Sequence, residues 1–200
     1  MSGEDRNNPA RHDGCGEMVV VVGPSGAGKD TLIAAAARHF SDNPNVVFTR
    51  RIITRDPSAG GEDHEGVSDD AFDHLHAQGH FAVSWAAHGL RYGLPADTLR
   101  HVEAGRLVIA NGSRSALPRF VQAYGGILVL NIVASPEILA ERLEARGRET
   151  RADILARLQR APLTLAGDYD TVTIDNSGPL EHAVDAMIRV LEGRMAASPA

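Results

Sequence analysis

Short apolar runs alternate along this chain with segments in which apolar residues recur at helical spacing. The runs at 19–22, 46–48, 107–110, 127–133 and 171–174 are rich in branched aliphatic residues, which is typical of buried strands. Residues 80–93 predict two shorter strands around a turn. Because helices separate most of the strands, the pattern predicts a three-layer α/β/α fold with a central parallel sheet.

Polar residues and prolines mark where the helices begin. Ser68 is a good N-cap for a helix over 69–78, and Ser135 followed by Pro136 is a strong helix start. Further helices are expected over 32–40 and 95–104, from the residues after 114 to about 124, and over 179–192. The segment 58–66 is too polar and glycine-rich for a core element, so it predicts a surface loop that contacts substrate.

The first strand leads into a glycine-rich turn and then into a helix. The turn has the spacing of a phosphate-binding loop, with glycines at 23 and 28 and a lysine directly after them. Glycine lets successive backbone N–H groups point inward, and the helix N-terminus adds positive potential, so a polyphosphate fits this loop. The residues expected to bind ATP are Gly23, Pro24, Ser25, Gly26, Ala27, Gly28, Lys29, Asp30 and Thr31.

Two positions in this loop carry specific chemistry. Lys29 is the only lysine among the 20 Lys and Arg residues, and a compact ammonium on a flexible stem is suited to follow a phosphate in transfer. The next residue is Asp30, where such loops ordinarily have Ser or Thr for Mg²⁺. A carboxylate is a good ligand for Mg²⁺, so either Asp30, directly or through water, or Thr31 is expected to hold the metal.

The loop and its flanking elements predict a single P-loop kinase domain over 17–193. Within it we expect a substrate-binding subdomain at about 50–93 and a helical lid at about 141–152, with tails at 1–16 and 194–200. A net charge of −6 argues against a general surface for nucleic acid or anionic membranes. The lone Cys15, the lack of a membrane-length apolar run and the lack of a signal-peptide core predict a cytoplasmic protein. The sequence leaves open whether the protein forms a homodimer.

Arginines form three groups in the sequence: Arg50, Arg51 and Arg55; Arg91 beside Tyr92; and Arg142, Arg146 and Arg148. Guanidinium groups bind phosphate oxygens in pairs and neutralise charge that develops during phosphoryl transfer. Arg142 and Arg146 share one helix face, which suits a lid that closes over the nucleotide. A solvated face paired with Glu141 and Glu144 is the alternative.

Histidines and the single tryptophan add candidate site residues. His74, His76 and His80 lack the further ligands of a metal set, so surface positions are expected. His64 and His88 lie in predicted glycine-rich loops, where binding residues concentrate. Trp85 is expected in the core.

Several motifs resemble those of the guanylate kinase-like P-loop kinases, in the same order. They are the loop at 23–29, Thr54-Arg55, Trp85-Ala86, Tyr92-Gly93 and the segment 142–147. The positions that read guanine in that family differ, because its glutamate is Ser84 here and its aspartate is Asn111. Losing these acceptors leaves the guanine N–H groups unpaired, which discriminates against guanine.

A closer resemblance is to the ribose 1,5-bisphosphate phosphokinases. It covers most of the domain and rests on the unusual Asp30 within 28–31 and on the segments 59–64, 84–93, 111–118, 135–139 and 146–149. The resemblance implies transfer of the γ-phosphoryl group of ATP, with Mg²⁺, to the 1-phosphate of ribose 1,5-bisphosphate. The products are 5-phospho-α-D-ribose 1-diphosphate and ADP, in phosphonate breakdown, and the partner is a small sugar bisphosphate.

Such a reaction needs cations rather than a general base, because the attacking phosphate oxygen is already anionic. We expect the catalytic groups to be Lys29 and the lid residues Arg142, Arg146 and Arg148. Arg51 and Arg55 are expected to hold an acceptor phosphate. The ribose bisphosphate is expected to lie among Glu62, His64, His88, Tyr92, Asn111, Ser113 and Arg114.

Two alternatives remain at this point. One is a nucleoside monophosphate kinase with altered base choice, although Ser84 and Asn111 argue against guanine. The other is a non-catalytic guanylate kinase-like interaction domain, which the intact phosphate loop argues against.

Overall fold

A parallel sheet of five strands forms the centre of the computed structural model, which describes residues 16–56, 62–145, 165 and 167–196. The strands are β1 (Glu17–Val22), β2 (Val46–Phe48), β7 (Leu107–Asn111), β8 (Ile127–Val133) and β9 (Asp170–Asp175). Their order is β2-β7-β1-β8-β9, and every pair is parallel. The carboxyl ends of all five strands therefore meet at one edge, where ligands bind in sheets of this kind.

A second sheet of four strands lies between β2 and β7 in the sequence. It contains β3 (Arg51–Ile53), β4 (His64–Gly66), β5 (Phe81–Ala87) and β6 (Leu90–Pro95), in the order β4-β3-β6-β5. β5 and β6 form a hairpin whose two-residue turn has positive φ at His88 (54°) and Gly89 (74°). Two positive φ angles are what a tight hairpin turn requires.

Six helices are present in the described part of the chain: α1 (Lys29–His39), α2 (Asp69–Ala77), α3 (Asp97–Glu103), α4 (Leu117–Tyr124), α5 (Pro136–Glu144) and α6 (Leu180–Ala196). A short 3-10 turn at Arg114–Ala116 precedes α4. Both predicted caps are confirmed, since the Ser68 hydroxyl accepts from the Ala71 N–H and the Ser135 hydroxyl from the Ile138 N–H.

The core lies on both faces of the parallel sheet. Val19 and Val21 point to one face, where α1 and α6 pack, and Val20 and Val22 point to the other, towards α4 and β5. All four valines are fully buried, which explains the unbroken apolar run. Trp85 is buried with the second cluster, as predicted.

Some predicted boundaries are wrong. Residues 64–66, expected in a loop, form β4, because they pair in parallel with Arg51–Ile53. Pro95 ends β6 instead of starting a helix, and α6 continues to Ala196 rather than ending near 192. The predicted N-terminal tail, apart from residue 16, and the lid beyond residue 145 lie outside the described residues, as do Arg146 and Arg148.

No helix in the described ranges is both long enough and apolar enough to cross a membrane.

Candidate active site

The phosphate loop lies between β1 and α1 at the carboxyl edge of the parallel sheet. Its glycines adopt positive φ, with 87° at Gly26 and 90° at Gly28. A Cβ on Gly23 would lie 2.2 Å from the Ile132 carbonyl oxygen, and one on Gly28 would lie 2.4 Å from Asn176 Nδ2. Glycine at 23 and 28 is therefore required by close packing as well as by conformation.

Asn176 and Arg142 support the loop from the side of β9 and α5. The buried Asn176 Nδ2 donates to the Ala27 carbonyl at 2.8 Å. Arg142 donates from Nη2 to the Asn176 carbonyl at 3.0 Å and from Nη1 to the Gly26 carbonyl at 3.4 Å. The sequence prediction missed Asn176, although its place directly after the last strand was a usable signal. Arg142, predicted as a lid residue, contacts the backbone of the loop here.

Lys29 lies over the loop that precedes it. Its Nζ donates to the carbonyl oxygens of Gly23 at 3.0 Å and Pro24 at 3.2 Å. Burial lowers the pKa of Lys29, and the charges of Arg51 and Arg114 lower it further, whereas Asp30 and Glu62 raise it. An anion placed beside Nζ would favour the charged ammonium, so the site is suited to a phosphate.

A buried amide joins the loop to the second sheet. Asn111 ends β7, which pairs with β1, and its Nδ2 donates to Asp30 Oδ1 at 2.9 Å and to Glu62 Oε2 at 3.1 Å. The Asn111 Oδ1 is buried and has no hydrogen-bond partner among the described residues. Thr31, the other predicted metal ligand, is exposed. Through its hydrogen bond to Oδ1, the Asn111 amide orients the Asp30 carboxylate beside the phosphate loop.

Glu62 is also bound by Arg51. Arg51 Nε donates to Glu62 Oε2 at 3.0 Å, and its Nη2 donates to Oε1. The guanidinium carbon lies 4.8 Å from the ring centroid of Tyr92 and 5.6 Å from that of Trp85, and these two rings are stacked. Arg51 pairs with Glu62 through Nε and Nη2, and its expected contact with an acceptor phosphate stays a prediction.

Arg55 and His64 form a neighbouring group of potential donors. The buried His64 Nδ1 lies 3.2 Å from Arg55 Nη2 and 2.9 Å from the Glu62 carbonyl oxygen. His64 Nε2 and Arg55 Nε have no hydrogen-bond partner in the described part of the chain. Burial raises the pKa of Tyr92 despite the opposing charges of Arg51 and Arg55, so its hydroxyl stays a donor at neutral pH. These groups are suited to bind an anion.

The remaining predicted residues divide between the site and its edges. Arg114 donates from Nη2 to Asn131 Oδ1 at 3.2 Å, and its positive charge contributes to lowering the pKa of Lys29. Ser113 pairs with Ser115, at 3.0 Å between the hydroxyl oxygens. His88 lies exposed in the hairpin turn and makes no hydrogen bond to the residues that the structure describes.

Arg50 and Arg91, the other members of the first two arginine groups, form ion pairs with exposed carboxylates. Arg91 pairs with Asp73 on α2 at 2.5 Å, and Arg50 pairs with the exposed Asp63 at 2.8 Å.

In the part of the chain that the structure describes, histidine and carboxylate side chains do not form an all-protein metal site. No group of three or more His, Cys, Asp or Glu side chains in the described ranges is placed to hold an ion. His74, His76 and His80 are exposed, as predicted. A metal held by one or two carboxylates together with substrate phosphates is the arrangement that Mg²⁺ commonly adopts, and Asp30 fits it.

The sequence matches known proteins over most of its length. A family model for guanylate kinase matches residues 16–194. Over 181 residues the chain is 58% identical to a ribose 1,5-bisphosphate phosphokinase PhnN of Rhizobium etli, covering 90% of this chain and 92% of that protein. It is also 58% identical over 175 residues to the protein of the same name from Agrobacterium fabrum, covering 88% and 96%.

Solved structures show the same fold at low identity. A guanylate kinase from Anaplasma phagocytophilum superposes with a TM-score of 0.66 at 19% identity, covering 92% of this chain and 88% of that one. The family match and the curated relatives lead to one conclusion. The chain belongs to the guanylate kinase family and, within it, to the family of the PhnN ribose 1,5-bisphosphate phosphokinases.

Proposed function

We propose that this protein transfers the γ-phosphoryl group of ATP to the 1-phosphate of ribose 1,5-bisphosphate. The products are 5-phospho-α-D-ribose 1-diphosphate and ADP, as a step in phosphonate catabolism. The main support is the 58% identity over 90% of the chain to a protein named for this substrate. The geometry agrees, because the phosphate loop and a second group of cationic and hydrogen-bonding side chains meet at one edge of the parallel sheet.

The donor half of the reaction is assigned to the phosphate loop. Backbone N–H groups of residues 23–31, except Pro24, which has none, bind the ATP phosphates, and Lys29 reaches the phosphoryl group in transfer. Mg²⁺ bound with the nucleotide would neutralise charge on the phosphates. Asp30 would hold it directly or through water, with Thr31 as the alternative ligand. Asp30 is the better candidate because Asn111 orients its carboxylate.

The acceptor half is assigned to the second sheet. Arg55, His64 and Tyr92 bind one phosphate of the sugar bisphosphate, and Ser113 and Arg114, which follow β7 in the sequence, contact the ligand from the parallel sheet. Arg51 acts through Glu62, which it holds in place. No general base is required, since the attacking oxygen is anionic, and the side chains offset the repulsion between two anions held in line.

Arg142 completes the donor side, because it donates to the carbonyls of Gly26 and Asn176. The catalytic role of Arg146 and Arg148 stays a prediction, as do a lid over 141–152 and a homodimer. A reaction that uses ATP is consistent with the expected cytoplasmic location.

The test is an assay of ADP release with four acceptors: ribose 1,5-bisphosphate, GMP, AMP and gluconate. We expect efficient turnover of the ribose compound, and GMP at least about 100-fold lower in kcat/KM because Ser84 and Asn111 replace the acceptors for guanine. Comparable turnover of GMP would instead favour a nucleoside monophosphate kinase. Absence of turnover with every acceptor would favour a binding module.

A further inference from the structure

The proposed acceptor site contains carboxylates although its ligand is an anion. Asp30 and Glu62 are both hydrogen-bonded to Asn111 Nδ2, at 2.9 and 3.1 Å. A carboxylate is repelled by a neighbouring phosphate, most strongly where the surroundings exclude water. Asp30 has a role with the metal that accompanies ATP. The charge of Glu62 is offset by Arg51, so any contact that its carboxylate makes with the ligand is to a group other than an ionised phosphate.

Glu62 is held more firmly than a surface ion pair. The Glu62 and Arg51 side chains are only 14% and 9% exposed, and Arg51 is packed over Tyr92 and Trp85. A carboxylate accepts about four hydrogen bonds, and the described donors to Glu62 are Arg51 Nε, Arg51 Nη2 and Asn111 Nδ2. The carboxylate thus has a fixed orientation and capacity for one further donor.

In a phosphorylated sugar the neutral hydroxyls donate hydrogen bonds, whereas ionised phosphates accept them. We propose that Glu62 accepts a hydrogen bond from a ring hydroxyl of the acceptor sugar, with Arg51 and Asn111 as positioning residues. Glu62 is then the residue that distinguishes the ribose compound from its deoxy analogues. This assignment rests on the proposed function and gives the site its sugar specificity.

The location of Glu62 also orients the ligand. On one side its own carbonyl oxygen lies 2.9 Å from His64 Nδ1, next to Arg55. On the other side Asn111 connects its carboxylate to Asp30 and the phosphate loop. When a sugar hydroxyl donates to the Glu62 carboxylate, one phosphate of the ligand is therefore placed near Arg55 and the other is directed towards the loop. The same hydrogen bond then determines both which sugar is accepted and which of its phosphates reacts.

The experiment compares ribose 1,5-bisphosphate with its 2-deoxy and 3-deoxy analogues on the unmodified protein. We expect kcat/KM to fall at least about 100-fold for one or both analogues, because the buried carboxylate is left without its hydroxyl. Glu62→Gln lowers kcat/KM for the ribose compound by at least about tenfold. The same substitution lowers kcat/KM for the affected analogue much less, so the ratio of kcat/KM for the ribose compound to that for the analogue becomes smaller. Glu65→Gln, an exposed carboxylate on β4 three residues along the chain, keeps the full preference.

The outcomes separate this assignment from the proposed function. Equal turnover of the ribose compound and both analogues overturns the role of Glu62 while leaving the proposed function intact. A Glu62→Gln variant that is folded but slower by the same factor on all three sugars makes Glu62 a purely structural partner of Arg51. If that variant does not fold, the comparison on the unmodified protein still tests the assignment, because equal turnover of all three sugars overturns it. No turnover of any sugar bisphosphate overturns the proposed function, and the inference with it.

Discussion

At the scale of single residues, the site is dominated by buried and partly buried charges whose partners come from distant parts of the sequence. Lys29, Arg51, Glu62 and Asp30 interact within one network, joined by Asn111. Burying an ion is costly unless partners compensate it, and Lys29 is compensated only in part, since burial lowers its pKa. We therefore expect Lys29 to matter far more for ligand binding than for folding.

Replacement of Lys29 tests this expectation. Lys29→Ala should lower kcat at least about 100-fold, since it removes the donor that stabilises the transferred group. Without ligand the variant should unfold at the same temperature as the unmodified protein or higher, because a buried charge is removed. The rise in melting temperature on adding ATP should be largely lost. Retained activity, or a collapse of the fold, would contradict the assigned role.

The pKa of Lys29 gives a second prediction. Burial holds it below the ordinary 10.5 in the free protein, and phosphate should raise it again on binding. At alkaline pH between these two values, binding takes up a proton, so ATP affinity falls by up to about tenfold per pH unit as the pH rises. At pH values below the pKa of Lys29 in the free protein, the ATP affinity no longer changes with the ionisation of this residue. Calorimetry in buffers of different ionisation enthalpy measures the uptake, which Lys29→Ala should abolish; an unchanged uptake in that variant would exclude Lys29 as its source.

At the scale of elements, local signals were sufficient for some features and insufficient for others. The strand, glycine turn and helix around 19–38, and the caps Ser68 and Ser135, depend on neighbours in sequence and were predicted correctly. β4 was mistaken for a loop because its three residues are stabilised by pairing with β3 rather than by their own propensity. The Arg51–Glu62 pair was missed for the same reason. Asn176 contacts Ala27, 149 residues away.

The contact of Asn176 with the loop yields a prediction for the element that follows β9. Asn176→Ala leaves the buried Ala27 carbonyl without its donor, so the free energy of unfolding should fall by about 1–3 kcal/mol. The KM for ATP should rise while the KM for the sugar changes little. Ser177→Ala is the matched control, because Ser177 bonds to the Ser135 N–H rather than to the loop. A similar rise in the KM for ATP in both variants would show that general loosening, not loop support, is the cause.

At the scale of the whole molecule, two sheets bring two groups of side chains to one edge. The parallel sheet carries the phosphate loop, and the second sheet carries Arg51, His64 and Tyr92, with Arg55 two residues after the end of β3. The layered fold could be predicted from the alternation of strands and helices. The way in which Asn111 joins the sheets could not, since it depends on β7 pairing beside β1. The fold thus brings together the two groups of side chains that we propose as the donor and acceptor sites.

In the proposed reaction the group that receives the phosphoryl is itself a phosphate on a sugar. Phosphorus NMR of the products formed from ribose 1,5-bisphosphate and ATP distinguishes this from transfer to a hydroxyl. We expect a new pair of mutually coupled diphosphate resonances, apart from those of ADP, with loss of the anomeric phosphate signal. A third phosphate monoester on the sugar, or ADP formed with no change in the sugar, would contradict it.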